Sequence, residues 1–125
     1  MRGTQTIQRI GNHPRWSDVV VYRGTARWVE VAADLAGDTG AQTAQVFAQI
    51  DDTLQMLGAD RTALLEVMIH LADLADIPVV NALWDAWIIR GHAPVRACVQ
   101  SVLGAGCRLE CMIHAAVPET PCGPA

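Results

Sequence analysis

Pro94-Val95-Arg96-Ala97-Cys98-Val99, read together with Leu109-Glu110-Cys111, places one arginine and one glutamate inside otherwise apolar runs. Val95, Ala97 and Val99 alternate with Arg96, Cys98 and Gln100, the period of a β-strand that buries one face and presents the other. Arg96 and Cys98 therefore leave the strand on the same side. In the later run, Leu109, Cys111 and Ile113 alternate with Glu110, Met112 and His114, so Glu110 leaves on the side opposite its hydrophobic neighbours. A charge inside a strand needs a partner or a task. If the two strands are adjacent, Arg96 and Glu110 meet in one cavity.

Working back from Pro94, the stretch Asp76-Ile77-Pro78 opens a helix, with proline suited to its first turn, and the helix runs through Trp84 and Trp87 to Arg90, with Gly91 as its stop. Before it, Leu64 to Leu71 reads as a strand with Leu65, Val67, Ile69 and Leu71 on one face and Leu64, Met68 and Ala72 on much of the other. A strand apolar on both faces belongs in the centre of a sheet covered on each side. Before that, Thr39 and Gln42 form a capping box, Phe47, Ile50, Leu54 and Leu57 recur at helical spacing, and Gly58 ends the helix as a left-handed residue. The first third reads as strands at Thr6–Ile10, Val19–Tyr22 and Trp28–Ala32. A turn at Arg23-Gly24-Thr25 joins the last two, and a polar loop spans Asp34 to Gly40.

The predicted order is thus β-β-β-α-β-α-β-β. Two crossovers of the same hand and direction put both helices on one face of the sheet. The other face keeps apolar side chains with nothing in the chain to cover them, which predicts a homo-oligomer that packs sheet against sheet. Residues 1–117 are expected to form a single domain, and the Pro- and Gly-rich segment 118–125 a mobile tail.

Composition narrows the function. A content of 51% hydrophobic and 18% charged residues excludes a disordered chain, and no apolar run reaches the roughly 20 residues of a membrane span. All nine basic residues are arginines, so Schiff-base chemistry on a lysine is excluded. The net charge of −4 and scattered arginines argue against nucleic acid. An N-terminus without an apolar leader predicts a cytoplasmic protein with free thiols. The four cysteines, at 98, 107, 111 and 122, lack C-x-x-C spacing and predict no metal site.

In this order of elements, several segments together resemble the RidA family, also called YjgF. They are Asp38-Thr39-Gly40-Ala41-Gln42-Thr43, Leu71-Ala72-Asp73, Asn81-Ala82-Leu83-Trp84-Asp85-Ala86-Trp87, Pro94 to Val99, and the late Glu110. The resemblance runs from about Ser17 to Val117. It implies an α+β, chorismate-mutase-like fold with a mixed six-stranded sheet and two helices on one face, assembled as a homotrimer with ligand sites between subunits. It further implies cofactor-free hydrolysis of reactive enamines and imines. In that chemistry Arg96 holds the carboxylate of a small metabolite, Glu110 activates water, and Cys98 binds substrate through its backbone, its thiol forming a wall of the pocket.

Two stretches depart from the family. A glycine-glutamine pair at the end of the third strand is here read as replaced within Val29-Glu30-Val31-Ala32-Ala33, which sets Glu30 where the glycine would be. Glu30 is expected to pair with Arg96 or to select a ligand with a positive group, and the alternative function is then a binding trimer whose deaminase site is altered or blocked. The family's Gly-Pro-Tyr-Ser region appears as His13-Pro14-Arg15-Trp16-Ser17, making Trp16 a replacement aromatic wall and Ser17 a candidate ligand-binding hydroxyl. Among the histidines at 13, 70, 92 and 114, His114 stands out because it shares a face with Glu110. Trp84 and Trp87 are expected to pack on the sheet.

Overall fold

The computed structural model describes residues 6–119. Six strands form one sheet: β1 (Gln8–Ile10), β2 (Val19–Tyr22), β3 (Thr25–Val31), β4 (Leu64–Leu71), β5 (Val95–Gln100) and β6 (Leu109–Ala116). Two helices, α1 (Thr39–Met56) and α2 (Ile77–Trp87), complete the order expected from the sequence. The strands lie in the order β1-β2-β3-β6-β4-β5. Because β6 runs antiparallel to both β3 and β4, those two are parallel to each other, and β4 is parallel to β5. The crossovers β3-α1-β4 and β4-α2-β5 therefore run the same way, and right-handed connections set both helices on one face. Residues 120–125 of the expected tail lie outside the described residues, and no described helix is long and apolar enough to cross a membrane.

Burial divides the two faces. Trp28, Ile113 and Val67 form one cross-strand row beneath the helices, and Cys111 and Ile69 continue the next. Against them pack Val46, Phe47, Ile50 and Leu54 of α1 and Val80, Trp84 and Trp87 of α2, all buried. The Phe47 ring stacks on Trp87 with centroids 4.4 Å apart, so both tryptophans serve the core as expected. The opposite face leaves Val29, Val31, Leu65, Val95, Val99 and Met112 exposed, Val95 to 72%. Nothing among the described residues covers it.

The local differences from the sequence reading have identifiable causes. In β4 the pairing jumps between Leu64 and Glu66, a β-bulge that leaves Leu65 as the extra residue. Leu64 is thereby turned into the core and Leu65 out of it, against strict alternation. The cap of α1 is Asp38, whose carboxylate accepts from the Ala41 N–H at 2.9 Å. Gln42 is fully buried instead of capping: its amide donates to the carbonyls of Leu35, Gly37 and Gly106 and accepts from the Arg108 N–H, tying two loops together. Helix α2 stops at Trp87, three residues short of Arg90, because Ile88 turns to extended backbone. The β2–β3 connection is a two-residue turn with Arg23 at φ 52° and Gly24 at φ 77°, the left-handed pair that matches strand twist. Gly58, at φ 79°, follows α1 as foreseen.

Candidate functional site

Sheet order separates the two charges that the sequence brought together. Strand β4 lies between β5 and β6, and the register pairs Arg96 with Val67 but Glu110 with His70. Val67 is fully buried under the helices, so Arg96, Cys98 and Gln100 leave β5 on the helix side. Val95, Ala97 and Val99 leave on the open side, the reverse of the burial expected for an isolated strand. Glu110, Met112 and His114 also leave on the open side. Within one chain Arg96 and Glu110 face opposite sides of the sheet and share no cavity.

Arg96 is held in place. Its guanidinium lies 4.9 Å from the Trp84 ring centroid, and Nη1 donates to Asn81 Oδ1 at 2.9 Å. Stacking on an aromatic face and a neutral amide acceptor fix the planar fork without neutralising its charge. Asn81 lies within the Asn81–Trp87 motif, yet its bond to Arg96 was not readable from sequence. Cys98 sits two residues further along β5, the unpaired edge of the sheet. Burial raises its thiol pKa, against the opposing pull of Arg96, and burial pushes the fully enclosed Cys111 up to about 12. Neither thiol is primed as a nucleophile.

Glu30 does not reach Arg96. It occupies the row Glu30, Cys111, Ile69, Cys98, so two strands intervene between β3 and β5, a span of about 14 Å at ordinary strand spacing. Its side chain lies on the helix side and is bonded three times. Trp28 Nε1 donates to Oε2 at 3.1 Å, Gln49 Nε2 to Oε1 at 3.0 Å, and the Thr53 hydroxyl to Oε2 at 3.1 Å. The residues of β3 that stand beside Glu110 on the open side are its flanking valines. Gln45, Gln49 and Thr53 recur every four residues along α1, a polar stripe that marks this contact in the sequence. The two glutamines also bind the backbone of Ala33 and Asp34.

Around the end of β3 lies a cleft of about 790 Å³. Strand β2 pairs with β3 only as far as Arg27, and beyond that point the chain from Trp16 to Asp18 swings away, leaving a gap. Trp16, Ser17, Glu30 and Glu110, four of the predicted site residues, line it, together with Thr53 and Met56, which the sequence reading missed. Arg96 and Cys98 do not. The row Val31, Glu110, His70, Val99 crosses the open face beside it, with His70 Nδ1 2.8 Å from the Ser101 hydroxyl. His114, instead of joining Glu110, pairs with Glu66 at 3.1 Å. No group of side chains among the described residues is arranged to hold a metal ion.

A second cavity, about 560 Å³, lies at the start of α1, where Arg108 already pairs with Asp76 at 3.0 Å. The Thr39 hydroxyl, 2.6 Å away, and then Arg108 hold the Asp76 carboxyl below its ordinary range.

The profile of the family described as Endoribonuclease L-PSP matches residues 7–117. The RutC family protein YoaB of Escherichia coli is 44% identical over 98 residues, covering 78% of this chain and 86% of that protein. A RutC family protein of Haemophilus ducreyi is 34% identical over 113 residues, 89% of this chain and 97% of its own length. The crystal structure of a YjgF family member from Neisseria meningitidis superposes with a TM-score of 0.84 at 36% identity, covering 92% of this chain and 98% of that one. RidA from a Psychrobacter species shares the fold at a TM-score of 0.77 and 24% identity, over 91% of this chain and all of that one.

Proposed function

This chain belongs to the YjgF/RidA family, and from that premise we propose that it is a cofactor-free hydrolase of small reactive imines and enamines, working in the cytoplasm as a homotrimer with its sites between subunits. The observation that carries this reading is the separation of Arg96 from Glu110. Among the described residues, the cleft beside Glu110 has no arginine or histidine in its lining, while Arg96 stands pre-oriented on the opposite face at the edge of the sheet. A carboxylate-bearing substrate in that cleft needs a cation, and a second copy can bring one. The apolar open face supplies the reason for copies to associate.

In this reading Arg96 of one subunit fixes the substrate carboxylate in two hydrogen bonds, with the backbone at Cys98 beside it. Glu110 of the neighbour takes a proton from water as the oxygen bonds to the iminium carbon. The resulting amino alcohol receives that proton on nitrogen. The C–N bond breaks to release ammonia as Glu110 takes the hydroxyl proton and the hydroxyl becomes a carbonyl, and that proton passes to ammonia, giving ammonium and a 2-oxo acid. Iminium plus water thus balances ammonium plus ketone. Acid-base help of this kind contributes about 100- to 10,000-fold. The three bonds that hold Glu30 on the helix side favour turnover over the binding-only alternative, since they leave Arg96 free for a substrate. Ribonuclease action, the activity in the profile's description, fits less well with a net charge of −4 and a carboxylate-lined cleft.

Subunit complementation tests the shared site. Arg96→Ala and Glu110→Gln are each expected to abolish release of ammonia from freshly generated 2-iminobutyrate. Unfolded together in equal amounts and refolded, they regain roughly a quarter of wild-type activity, because about three quarters of the rings are mixed and each mixed ring has one intact site in three. No recovery in verified mixed trimers would sink the shared-site reading.

A further inference from the structure

The cleft beside Glu110 also constrains the rest of the substrate. Two large apolar side chains, Trp16 and Met56, line it while remaining 59% and 60% exposed, and Val29 adds to the same wall. Exposed tryptophan and methionine converging on one cavity are poorly satisfied by water and well suited to an apolar guest. The indole is also braced. The His13 ring stacks on Trp16 with centroids 3.6 Å apart and planes 8° from parallel, and the Arg15 N–H donates to His13 Nδ1 at 3.1 Å. A wall held this way needs little ordering when a ligand arrives.

Charge narrows the guest further. Asp18, Glu30 and Glu110 all line the cleft, and among the described residues no basic side chain lines it to offset them. With Arg96 of the neighbour committed to one carboxylate, a second carboxylate on the substrate would meet only anions. Resting on the deaminase reading above, we infer that the substrate is a monocarboxylic 2-imino acid with a large apolar side chain, branched aliphatic or aromatic, seated against Trp16 and Met56.

The test compares imines generated in situ by an amino-acid oxidase from 2-aminobutyrate, leucine, phenylalanine and glutamate. The leucine- and phenylalanine-derived imines are expected to exceed 2-iminobutyrate in kcat/KM by about 10-fold or more, the discrimination an apolar pocket gives for added methylenes. The glutamate-derived imine should be the slowest. Trp16→Ala lowers the large substrates more than the small one and collapses that ratio, while Trp16→Phe keeps part of it. A flat profile, or a Trp16→Ala loss equal for all substrates, overturns the inference. If no imine is accelerated, the deaminase reading fails and binding decides. Calorimetry showing phenylpyruvate bound at least about 10-fold more tightly than 2-oxobutyrate, with the advantage lost in Trp16→Ala, upholds the side-chain preference; equal affinities, or no binding, overturn it.

Discussion

The two faces of this sheet are built from the same strands and by opposite rules. On the helix side the rows are filled from within the chain: Val67, Ile69, Cys111 and Ile113 are fully buried, and the Glu30 carboxylate has three donors. On the open side, rows of comparable strands end in water, with Val31, Val99 and Met112 exposed and Glu110 in no salt bridge among the described residues. The helix side carries the fold and holds Arg96 at its edge, whereas the open side carries Glu110 among side chains without partners in the described residues. On the proposed function, a second copy and a substrate supply those partners.

The comparison is most easily broken at Glu110. On the reading above, Glu110→Gln lowers kcat for imine hydrolysis by about 100- to 10,000-fold with little change in KM, since the amide keeps the shape and loses the base. A variant retaining more than a tenth of wild-type kcat would return Glu110 to a structural role.

Stability separates the faces next. Ile69→Ala removes a fully buried side chain from the helix side and should cost about 2 to 5 kcal/mol. Met112→Ala, on the open face, should cost the isolated chain little while weakening association. Urea unfolding at several protein concentrations reads the two apart. Ile69→Ala lowers the midpoint at every concentration, whereas Met112→Ala lowers it only where the wild type is assembled, shifting the rise of the midpoint to higher protein concentration. A concentration-independent midpoint in the wild type would mean the open face is not an interface.

The smallest effect lies where both loops meet α1. The Asp76 carboxyl is depressed below its ordinary value of 3.8 by the Thr39 hydroxyl and Arg108. A depressed folded pKa contributes stability that is present above 3.8 and is lost as pH falls through the lower folded value. Asp76→Asn should therefore unfold with a shallower acid limb below about pH 4. Coincident acid curves for Asp76→Asn and wild type would remove the linkage.

Much of this was legible because it is local or periodic. Alternation along Leu109–Ile113 places Glu110 opposite its apolar neighbours, helical spacing from Phe47 to Leu54 marks the core of α1, and the motif segments together point to the family. The misreadings have a common cause. Alternation says which residues share a face but not which face is covered, and for β5 the covered face holds Arg96 and Cys98 while the valines are bare. The bulge at Leu65 and the loop-bridging role of Gln42 depend on partners in β6 and in the segment before Arg108, far away in sequence.

What the sequence determined by itself is the set of elements, their order, the two helices on one face and the residue types available for chemistry, because each follows from short-range periodicity, turn residues and chain handedness. Only the tertiary structure decided that β4 separates β5 from β6. That single insertion keeps β5 from pairing with β6, so Arg96 and Glu110 do not meet, and sets β3 about 14 Å from β5. Strand order rests on long-range pairing energies summed over whole registers, which no local pattern of side chains records.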